Sequence, residues 1–246
     1  MNNKSVVIIG STCELGIELS KIYAKNKYDL ILIARDEKKN QDLKKSIKYE
    51  FSQTEITCLQ LDILNTERQY KIIEEMKQIP DGVISLVGET HNLQGIIEKN
   101  FFKIVNVNFT YLANFLTIFL EKFDARNFGF LICVSSVAGL RGRAKNFIYG
   151  SAKAALNTFL SGCRNYYAKK NILIMTVLPG FIGGQTSNKN KSKANNLLSI
   201  KPSKLAERIY NSQQKRKEIV YSSFIWFFIM IVIRLLPNKI FKKINF

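Results

Sequence analysis

The sequence is poor in the residues that build metal centres and disulfide frameworks. It has a single histidine and no CxxC pair, and its four cysteines lie far apart, at Cys13, Cys58, Cys133 and Cys163. Zinc sites need closely spaced Cys and His ligands, so we expect no metal cofactor. We expect the four thiols to be reduced, in a cytosolic setting.

Acidic residues are scarce relative to basic ones. The chain has 19 Asp and Glu against 37 Lys and Arg, a formal net charge of +18. Such an excess attracts nucleic acid, anionic lipid or a phosphorylated ligand, although lysines on helix faces also form ordinary solvated surfaces. Basic and aromatic residues are interleaved only near the end of the chain, so we expect no specific nucleic-acid partner.

We also expect no N-terminal signal segment. The first residues, MNNKSVVIIG, pass almost at once into an apolar strand pattern, so we expect a cytoplasmic protein. The length of 246 residues suits one large α/β domain, and a hydrophobic fraction of 46% is ample for its core.

Short apolar runs alternate with helical patterns through the first 222 residues. Continuous apolar runs are typical of strands buried on both faces, and they occupy Ser5–Ile9, Asp29–Ala34, Glu55–Leu61, Gly82–Val87, a run from Phe130, Asn171–Leu178 and a short last run at Glu218–Tyr221. This alternation predicts a Rossmann-type doubly wound parallel sheet of about seven strands in residues 1–222. In such sheets ligands bind beyond the carboxyl ends of the strands.

A glycine-bearing turn, GSTCELG, follows the first run and leads into a helix. Free N–H groups and the helix dipole bind anions at such a turn. We assign a phosphate-binding role to Gly10, Ser11, Thr12, Leu15 and Gly16.

The residues after the next three runs would complete a dinucleotide site. Arg35 can hold a ribose 2′-phosphate, whereas the adjacent Asp36 would bind the 2′-hydroxyl of NAD, and we favour NADP. Asp36 can instead cap the following helix. Asp62 is placed either to reach an adenine edge or to cap the helix Thr66–Gln78. Gly88 lets the backbone approach a cofactor closely.

The stretch FLICVSSVAGLRGRAKNFIYGSAK, residues 130–153, carries a candidate catalytic pair. Tyr149 and Lys153 are four residues apart and share one helix face. An ammonium close to a phenol lowers the pKa of the phenol, which suits proton transfer near neutral pH. Ser136, at the end of the strand, could bind the same reacting oxygen. Many helices carry a Tyr and a Lys four apart, and the serine is what favours catalysis here.

Three other features lie near the predicted site. Asn106 and Asn108 interrupt the apolar side of a long helix from Ile96 to Phe123, where a polar group needs a partner. His91, in the preceding loop, either touches substrate or belongs to a plain loop. The polar stretch Gly183–Asn196 is either a lid over the substrate or an ordinary surface loop.

The last segment, which we assign to residues 223–246, differs from the rest. An apolar helix Phe224–Leu236 has 13 residues, too few to cross about 30 Å of hydrocarbon. Lysines follow it. We therefore expect a C-terminal apolar helix that lies on the inner membrane face or on a partner subunit, rather than a spanning anchor. Docking on its own domain is the alternative.

Taken together, these residues resemble the short-chain dehydrogenase/reductase family. Ser136, Tyr149 and Lys153 match the family's Ser…Tyr-x-x-x-Lys, and VNVNFT places Asn108 at its helix asparagine. The resemblance implies that Tyr149 exchanges a proton with the substrate oxygen and that Ser136 orients the carbonyl. It implies that Lys153 lowers the tyrosine pKa and holds the nicotinamide ribose, and that Asn108 joins a proton relay.

The resemblance also covers the end of the sixth strand and shows two departures. Pro179 and Gly180 match the family's Pro-Gly, which contacts the nicotinamide end. Glu14 stands where the family pattern has glycine, and only Gly88 remains of its Asn-Asn-Ala-Gly. Both departures lie in the predicted cofactor site.

Three segments resemble a narrower group within the family, the keto-ribose reductases of decaprenylphosphoryl-ribose 2-epimerase systems. They are GSTCELG, NFIYGSAKAAL and KEIVYSS…RLLPNKIFKKI. This likeness implies an NADPH-dependent reductase of a polyprenyl-linked keto-sugar, peripheral on the cytoplasmic face of a membrane, with an oxidising partner enzyme. We expect a homodimer or homotetramer. The alternatives are a reductase of other lipid or steroid-like ketones and a non-catalytic, cofactor-binding regulatory subunit.

Overall fold

The fold is a doubly wound parallel sheet, seen in a computed structural model that describes residues 4–76, 78–90, 97–183 and 198–243. Its strands are β1 (Ser5–Ile9), β2 (Asp29–Ala34), β3 (Ile56–Gln60), β4 (Gly82–Ser85), β5 (Gly129–Val134), β6 (Ile172–Leu178) and β9 (Ile219–Tyr221). They pair in parallel in the order β3-β2-β1-β4-β5-β6-β9. The predicted seven-stranded Rossmann-type sheet is confirmed.

Helices cover both faces of this sheet. They are α1 (Glu14–Lys25), α2 (Glu37–Glu50), α3 (Thr66–Glu75), α4 (Ile97–Val105), α5 (Tyr111–Arg126), α6 (Phe147–Tyr166), α7 (Pro202–Gln214), α8 (Phe224–Leu235) and α9 (Asn238–Phe241). Buried side chains of α1, α2 and α7 share one core with the sheet, and those of α3, α5 and α6 share the other. A separate pair of short parallel strands, β7 (Phe181–Ile182) and β8 (Ser199–Ile200), lies beside the sheet.

Strand β1 shows why the continuous apolar runs were informative. Val6 and Ile8 point into one core and Val7 and Ile9 into the other, and none of the four is more than 2% exposed. Successive strand residues face opposite sides, so a strand covered on both sides must be apolar at every position. Each such side chain contributes about 1.5–3 kcal/mol.

The predicted long helix is present but interrupted. Between α4 and α5 the backbone forms a π-helical turn, Asn106–Thr110. Within the described residues, Phe101–Arg126 is the one helix long and apolar enough to cross a membrane by length and composition. Its aromatic side chains Phe115 and Phe119 are fully buried against the sheet, so packing in the domain accounts for its apolar character.

Helix α8 is apolar but has only 12 residues. Among the described residues, the helix of membrane-span length is therefore Phe101–Arg126, which packs on the sheet, and not the helix after residue 222. Trp226, Met230 and Ile233 recur at helical spacing and pack as a small third core with Val137 and Leu178. One face of α8 is therefore docked on the domain.

Candidate active site

A cleft runs along the carboxyl ends of the sheet strands. It consists of a cavity of about 320 Å³ over the ends of β1–β3 and a larger one of about 660 Å³ over β5 and β6. The two cavities meet at Leu86, Val87 and Gly88, which line both of them. This is the sheet edge at which ligands of such folds bind.

Most of the predicted site residues line this cleft. Those on the smaller cavity are Gly10, Thr12, Arg35, Asp62 and Gly88. Those on the larger cavity are Gly88, Ser136, Tyr149, Lys153, Pro179 and Gly180. The remaining four, Ser11, Leu15, Gly16 and Asn108, are buried behind it.

The glycine turn divides into a lining part and a supporting part. Gly10 has φ +87°, a conformation that side chains rarely adopt, and it faces the cavity. Ser11 is fully buried, and its Oγ donates to Asn40 Oδ1 at 2.8 Å. Leu15 belongs to the core. A Cβ on Gly16 would lie 2.6 Å from the carbonyl oxygen of Gly10, so glycine there permits close packing of the turn.

Two further residues of this turn, Cys13 and Glu14, lie at the start of α1. Cys13, which also lines the cavity, caps α1 by accepting a hydrogen bond from the Gly16 N–H at 3.3 Å. Glu14 begins α1 and is not among the described residues that line the cavity. The carboxylate at the glycine position therefore leaves the smaller cavity open.

The charged residues after β2 have separate tasks. Asp36 caps α2, because its Oδ1 accepts from the Lys39 N–H at 3.0 Å and its Oδ2 pairs with Lys39 Nζ at 3.5 Å. The backbone hydrogen bond from Lys39 lowers the pKa of Asp36. Arg35 and Lys39 both line the smaller cavity. The helix-cap alternative for Asp36 is confirmed, and Lys39 is a second cation that the sequence analysis missed.

Asp62 lines the smaller cavity but does not cap the next helix. Its Oδ1 accepts from the Leu64 N–H at 3.0 Å, two residues on. The cap of α3 is Asn65, whose Oδ1 accepts from the Arg68 N–H at 2.9 Å. The helix-cap alternative for Asp62 was therefore wrong, because α3 begins at Thr66 and Asp62 is one turn too early.

Lys153 is buried at the junction of the two cavities. Its Nζ donates to the carbonyl oxygens of Val87 at 3.2 Å and Val134 at 3.4 Å, and it lies 5.8 Å from the ring centroid of Tyr149. Desolvation lowers the pKa of Lys153 to about 8. Val134 is the last residue of β5 and Val87 lies two residues after β4, so the ends of these two neighbouring strands hold the amine in place.

Tyr149 retains its proton more firmly than predicted. Burial is the largest effect and raises the pKa of Tyr149, while a hydrogen bond with Ser136 and the charge of Arg143 act in the opposite direction. The expected lowering of this pKa by Lys153 was wrong, because burial outweighs the opposing effects and the groups that act to lower the pKa of Tyr149 are Ser136 and Arg143.

Asn108 holds the backbone beside Gly88. Its Nδ2 donates to the carbonyl oxygens of Glu89 at 2.8 Å and Ile104 at 2.9 Å, and its Oδ1 accepts from the Glu89 N–H at 3.2 Å. A Cβ on Gly88 would lie 3.2 Å from Asn108 Oδ1 and 3.3 Å from Lys153 Nζ. The π turn thus presents Asn108 to the loop after β4, next to the buried lysine.

Gly180 is fixed by a residue of α8. The Gly180 N–H donates to Ser222 Oγ at 3.2 Å, and the ring of Trp226 fills the space that a Cβ on Gly180 would occupy, 1.9 Å away. Trp226 Nε1 donates to the Leu198 carbonyl oxygen at 2.8 Å. Trp226 also lines the larger cavity, although the sequence placed it in a separate tail.

A short loop before α6 supplies polar groups that the sequence analysis missed. Arg143, Lys145 and Asn146 line the larger cavity together with Tyr149, and no described residue that lines it is Asp or Glu. Asn146 Oδ1 is buried and bonds to no described residue. The only sequence signal was a basic loop, RGRAKN, of the kind usually found on a solvated surface.

Two predicted features, His91 and most of the stretch Gly183–Asn196, lie outside the described residues. Among the described residues, no group of three or more His, Cys, Asp and Glu could hold a metal ion.

Comparison with known proteins gives one family. A family model described as short chain dehydrogenase matches residues 4–196. The very-long-chain 3-oxoacyl-CoA reductase-A of Danio rerio is 25% identical over 186 residues, which cover 73% of this chain and 58% of the relative. The dehydrogenase/reductase SDR family protein 7-like of Dictyostelium discoideum is 30% identical over 203 residues, covering 73% and 59%. The chain thus spans less than two thirds of these relatives.

Solved structures share the fold. A short-chain dehydrogenase from Sphingobium yanoikuyae in complex with NADPH has a TM-score of 0.79 at 16% identity and covers 98% of this chain, which covers 96% of it. ElxO with NADP bound has a TM-score of 0.76 at 23% identity, with 89% and 97% covered. At these identities the likeness describes the fold alone.

Proposed function

This chain belongs to the short-chain dehydrogenase family, and we propose that it uses NAD(P)H to reduce a ketone to an alcohol. The observation that carries this proposal is the meeting of Ser136, Tyr149 and Lys153 in one cavity, joined through Gly88 to a second cavity at the carboxyl ends of β1–β3. A non-catalytic cofactor-binding subunit would have no need of this set.

The smaller cavity suits the adenosine and pyrophosphate part of a nicotinamide dinucleotide, whose nicotinamide end would pass Gly88 toward Pro179 and Gly180 in the larger cavity. Gly10 and Thr12 line it at the start of α1, where free N–H groups favour a pyrophosphate. Gly88 leaves room beside the buried amine of Lys153. When bound, the reduced cofactor supplies the hydride.

The residues of the larger cavity suit donation of a proton to a carbonyl oxygen. The hydroxyl of Tyr149 is protonated at neutral pH and can donate to a substrate oxygen; burial raises its pKa, while the hydrogen bond with Ser136 and the charge of Arg143 act to lower that pKa and so favour proton transfer. Ser136 bonds to Tyr149 and can hold the same substrate oxygen. Lys153 donates to the carbonyl oxygens of Val87 and Val134, and these bonds hold its amine beside the ring of Tyr149.

We favour NADPH over NADH as the reductant. Arg35 and Lys39 present two cations to the smaller cavity, and the carboxylate of Asp36 is engaged by α2 and Lys39. Two cations suit a ribose 2′-phosphate, and a carboxylate that is already bonded competes less for a ribose hydroxyl.

We propose that the substrate is a lipid-linked keto-sugar with an anionic group. Arg143 and Lys145 bring positive charge to the larger cavity, and the buried Asn146 Oδ1 offers an acceptor for a hydroxyl. Phe181 and Trp226 also line this cavity and give it an apolar wall. The likeness of three segments to keto-ribose reductases points the same way. Other lipid or steroid-like ketones are the alternative, since they would need only the apolar wall.

The mechanism is tested by Tyr149→Phe. We expect this variant to bind NADPH as the parent does and to lose about 10²–10⁴-fold in turnover, which is the usual contribution of a general acid. Turnover is followed by loss of NADPH absorbance, and binding by titration of protein fluorescence. Undiminished turnover would sink the role of Tyr149, and failure of the parent to bind NADPH or NADH would sink the reductase.

The substrate class is tested with a panel of carbonyl compounds. Phosphorylated keto-sugars should be reduced with a lower KM than the same keto-sugars without phosphate, and steroid ketones should be poor substrates. The reverse order would favour the alternative.

A further inference from the structure

We propose that the outer face of α8, together with the basic residues that follow it, docks on the surface of an anionic lipid bilayer. This docking is a property of the surface and does not depend on the proposed reductase activity.

The outer face of α8 is apolar and exposed. Phe224, Phe228, Val232 and Leu235 are 72%, 62%, 60% and 77% exposed, and three further apolar residues of this helix are at least 38% exposed. Its inner face is already used, since Trp226 is 1% exposed. Apolar residues grouped in this way on a surface mark an interaction site.

The charge around this face identifies the partner. Residues 222–243 contain no Asp or Glu, and exposed cations lie in and after the helix at Arg234, Lys239, Lys242 and Lys243. Basic residues beside an apolar face are attracted to anionic headgroups, while the apolar residues enter the acyl boundary. A second copy of the chain paired on the same face would instead bring like charges together.

The geometry places α8 in the plane of the bilayer. Its 12 residues span about 18 Å, well short of the roughly 30 Å hydrocarbon layer. Arg141 fixes the end of α8 to the domain: its Nη1 donates to the carbonyl oxygens of Ile233 and Leu236, each at 2.6 Å, and its guanidinium lies 4.2 Å from the Phe241 ring centroid. The apolar face is therefore held rigidly for contact.

The helix that carries the docking face also contributes a side chain to the larger cavity from its inner face. Trp226 belongs to α8 and lines this cavity together with Tyr149. If the proposed function holds, a lipid-linked substrate could leave its chain in the bilayer while its head reaches Tyr149. This last step rests on the proposed function, whereas the docking does not.

The test is co-sedimentation of the full chain with vesicles. We compare equimolar phosphatidylcholine and phosphatidylglycerol with phosphatidylcholine alone, and expect binding to the anionic vesicles. The triple variant Phe228→Ser, Val232→Ser, Leu235→Ser should lose at least about tenfold in partitioning, given the size of the apolar surface removed. A matched control, Tyr49→Ser, Tyr70→Ser, Tyr166→Ser, removes three aromatic residues that are 92%, 52% and 77% exposed elsewhere, and should bind like the parent.

A charge variant tests the headgroup contact. Lys239→Gln, Lys242→Gln, Lys243→Gln should bind anionic vesicles roughly 100-fold more weakly at low salt, since each cation near the surface contributes about fivefold. Its binding to phosphatidylcholine alone should equal that of the parent. An effect no larger than that of the control Lys25→Gln, Lys38→Gln, Lys45→Gln, which removes three exposed lysines elsewhere, would count against the proposal.

Three results would overturn it. They are absence of binding by the parent, equal binding by the parent and the apolar triple variant, and light scattering that shows the parent as an oligomer which the triple variant dissociates. The last result would mean that a second copy covers this face. Thermal unfolding and NADPH binding show that each variant is folded, so loss of docking and loss of the reductase site are measured separately.

Discussion

At the scale of single residues, Lys153 carries the largest electrostatic cost in the site. It is fully buried, it is held by two carbonyl oxygens, and its pKa is lowered from 10.5 to about 8. Between these two values the unfolded chain binds a proton that the folded chain has released, so stability rises with pH through this window. Buried Cys133 acts in the opposite direction from pH 9 upward, because its pKa is raised to about 11.

The clearest window for Lys153 is therefore pH 8 to 9. We expect the free energy of unfolding to rise by about 1 kcal/mol across it, one pH unit being worth at most about 1.4 kcal/mol. Urea unfolding at the two pH values measures this rise. Lys153→Met should remove it and the exposed Lys145→Met should keep it; an unchanged rise in Lys153→Met would show that another group is responsible.

Cofactor preference also belongs to single residues. Arg35→Leu combined with Lys39→Leu should weaken NADPH binding roughly tenfold, since charge-assisted bonds to a phosphate are lost, and should leave NADH binding nearly unchanged. Lys38→Leu, exposed in the same helical turn, is the control. Fluorescence titration with both cofactors gives the ratio, and an equal loss for NADPH and NADH would contradict the 2′-phosphate assignment.

At the scale of elements, the contact between α8 and the segment after β6 is the tightest in the site. The Trp226 ring lies where a Cβ on Gly180 would be. The close packing of α8 on the Pro179-Gly180 segment therefore requires glycine at position 180. The sequence analysis treated them as parts of separate units because they are far apart in the chain.

A methyl group at Gly180 should therefore displace α8. We expect Gly180→Ala to lower the free energy of unfolding by about 1–3 kcal/mol through overpacking. It should also shift the emission of Trp226, the single tryptophan of the chain. Gly162→Ala in α6, where a Cβ meets nothing within 4 Å, should be neutral or stabilising. Unchanged stability and emission in Gly180→Ala would contradict this prediction, because they would mean that α8 accommodates the methyl group with no loss in the free energy of unfolding.

At the scale of the whole molecule, the sheet and the set of Ser136, Tyr149 and Lys153 were predictable, whereas the other polar and aromatic side chains of the larger cavity were not. Strands such as β1 are buried on both faces, and this requirement is visible as a continuous apolar run. Asn146 and Trp226 line the larger cavity. They belong to a basic loop and an apolar tail, and the sequence patterns of these segments do not predict which part of the domain their side chains contact. The π turn that brings Asn108 to Glu89 is likewise set by tertiary contacts, since periodicity predicted one uninterrupted helix.

The contact between Trp226 and Gly180 connects the proposed cofactor site with the helix that carries the proposed docking face. The ring of Trp226 contacts the backbone assigned to the nicotinamide end. Trp226 also belongs to α8, the helix that carries the proposed docking face. Two ligands that bias the position of a shared element change each other's affinity by the same factor, in both directions. If α8 shifts on docking, a bilayer that tightens NADPH binding must itself be bound more tightly by the NADPH-loaded protein.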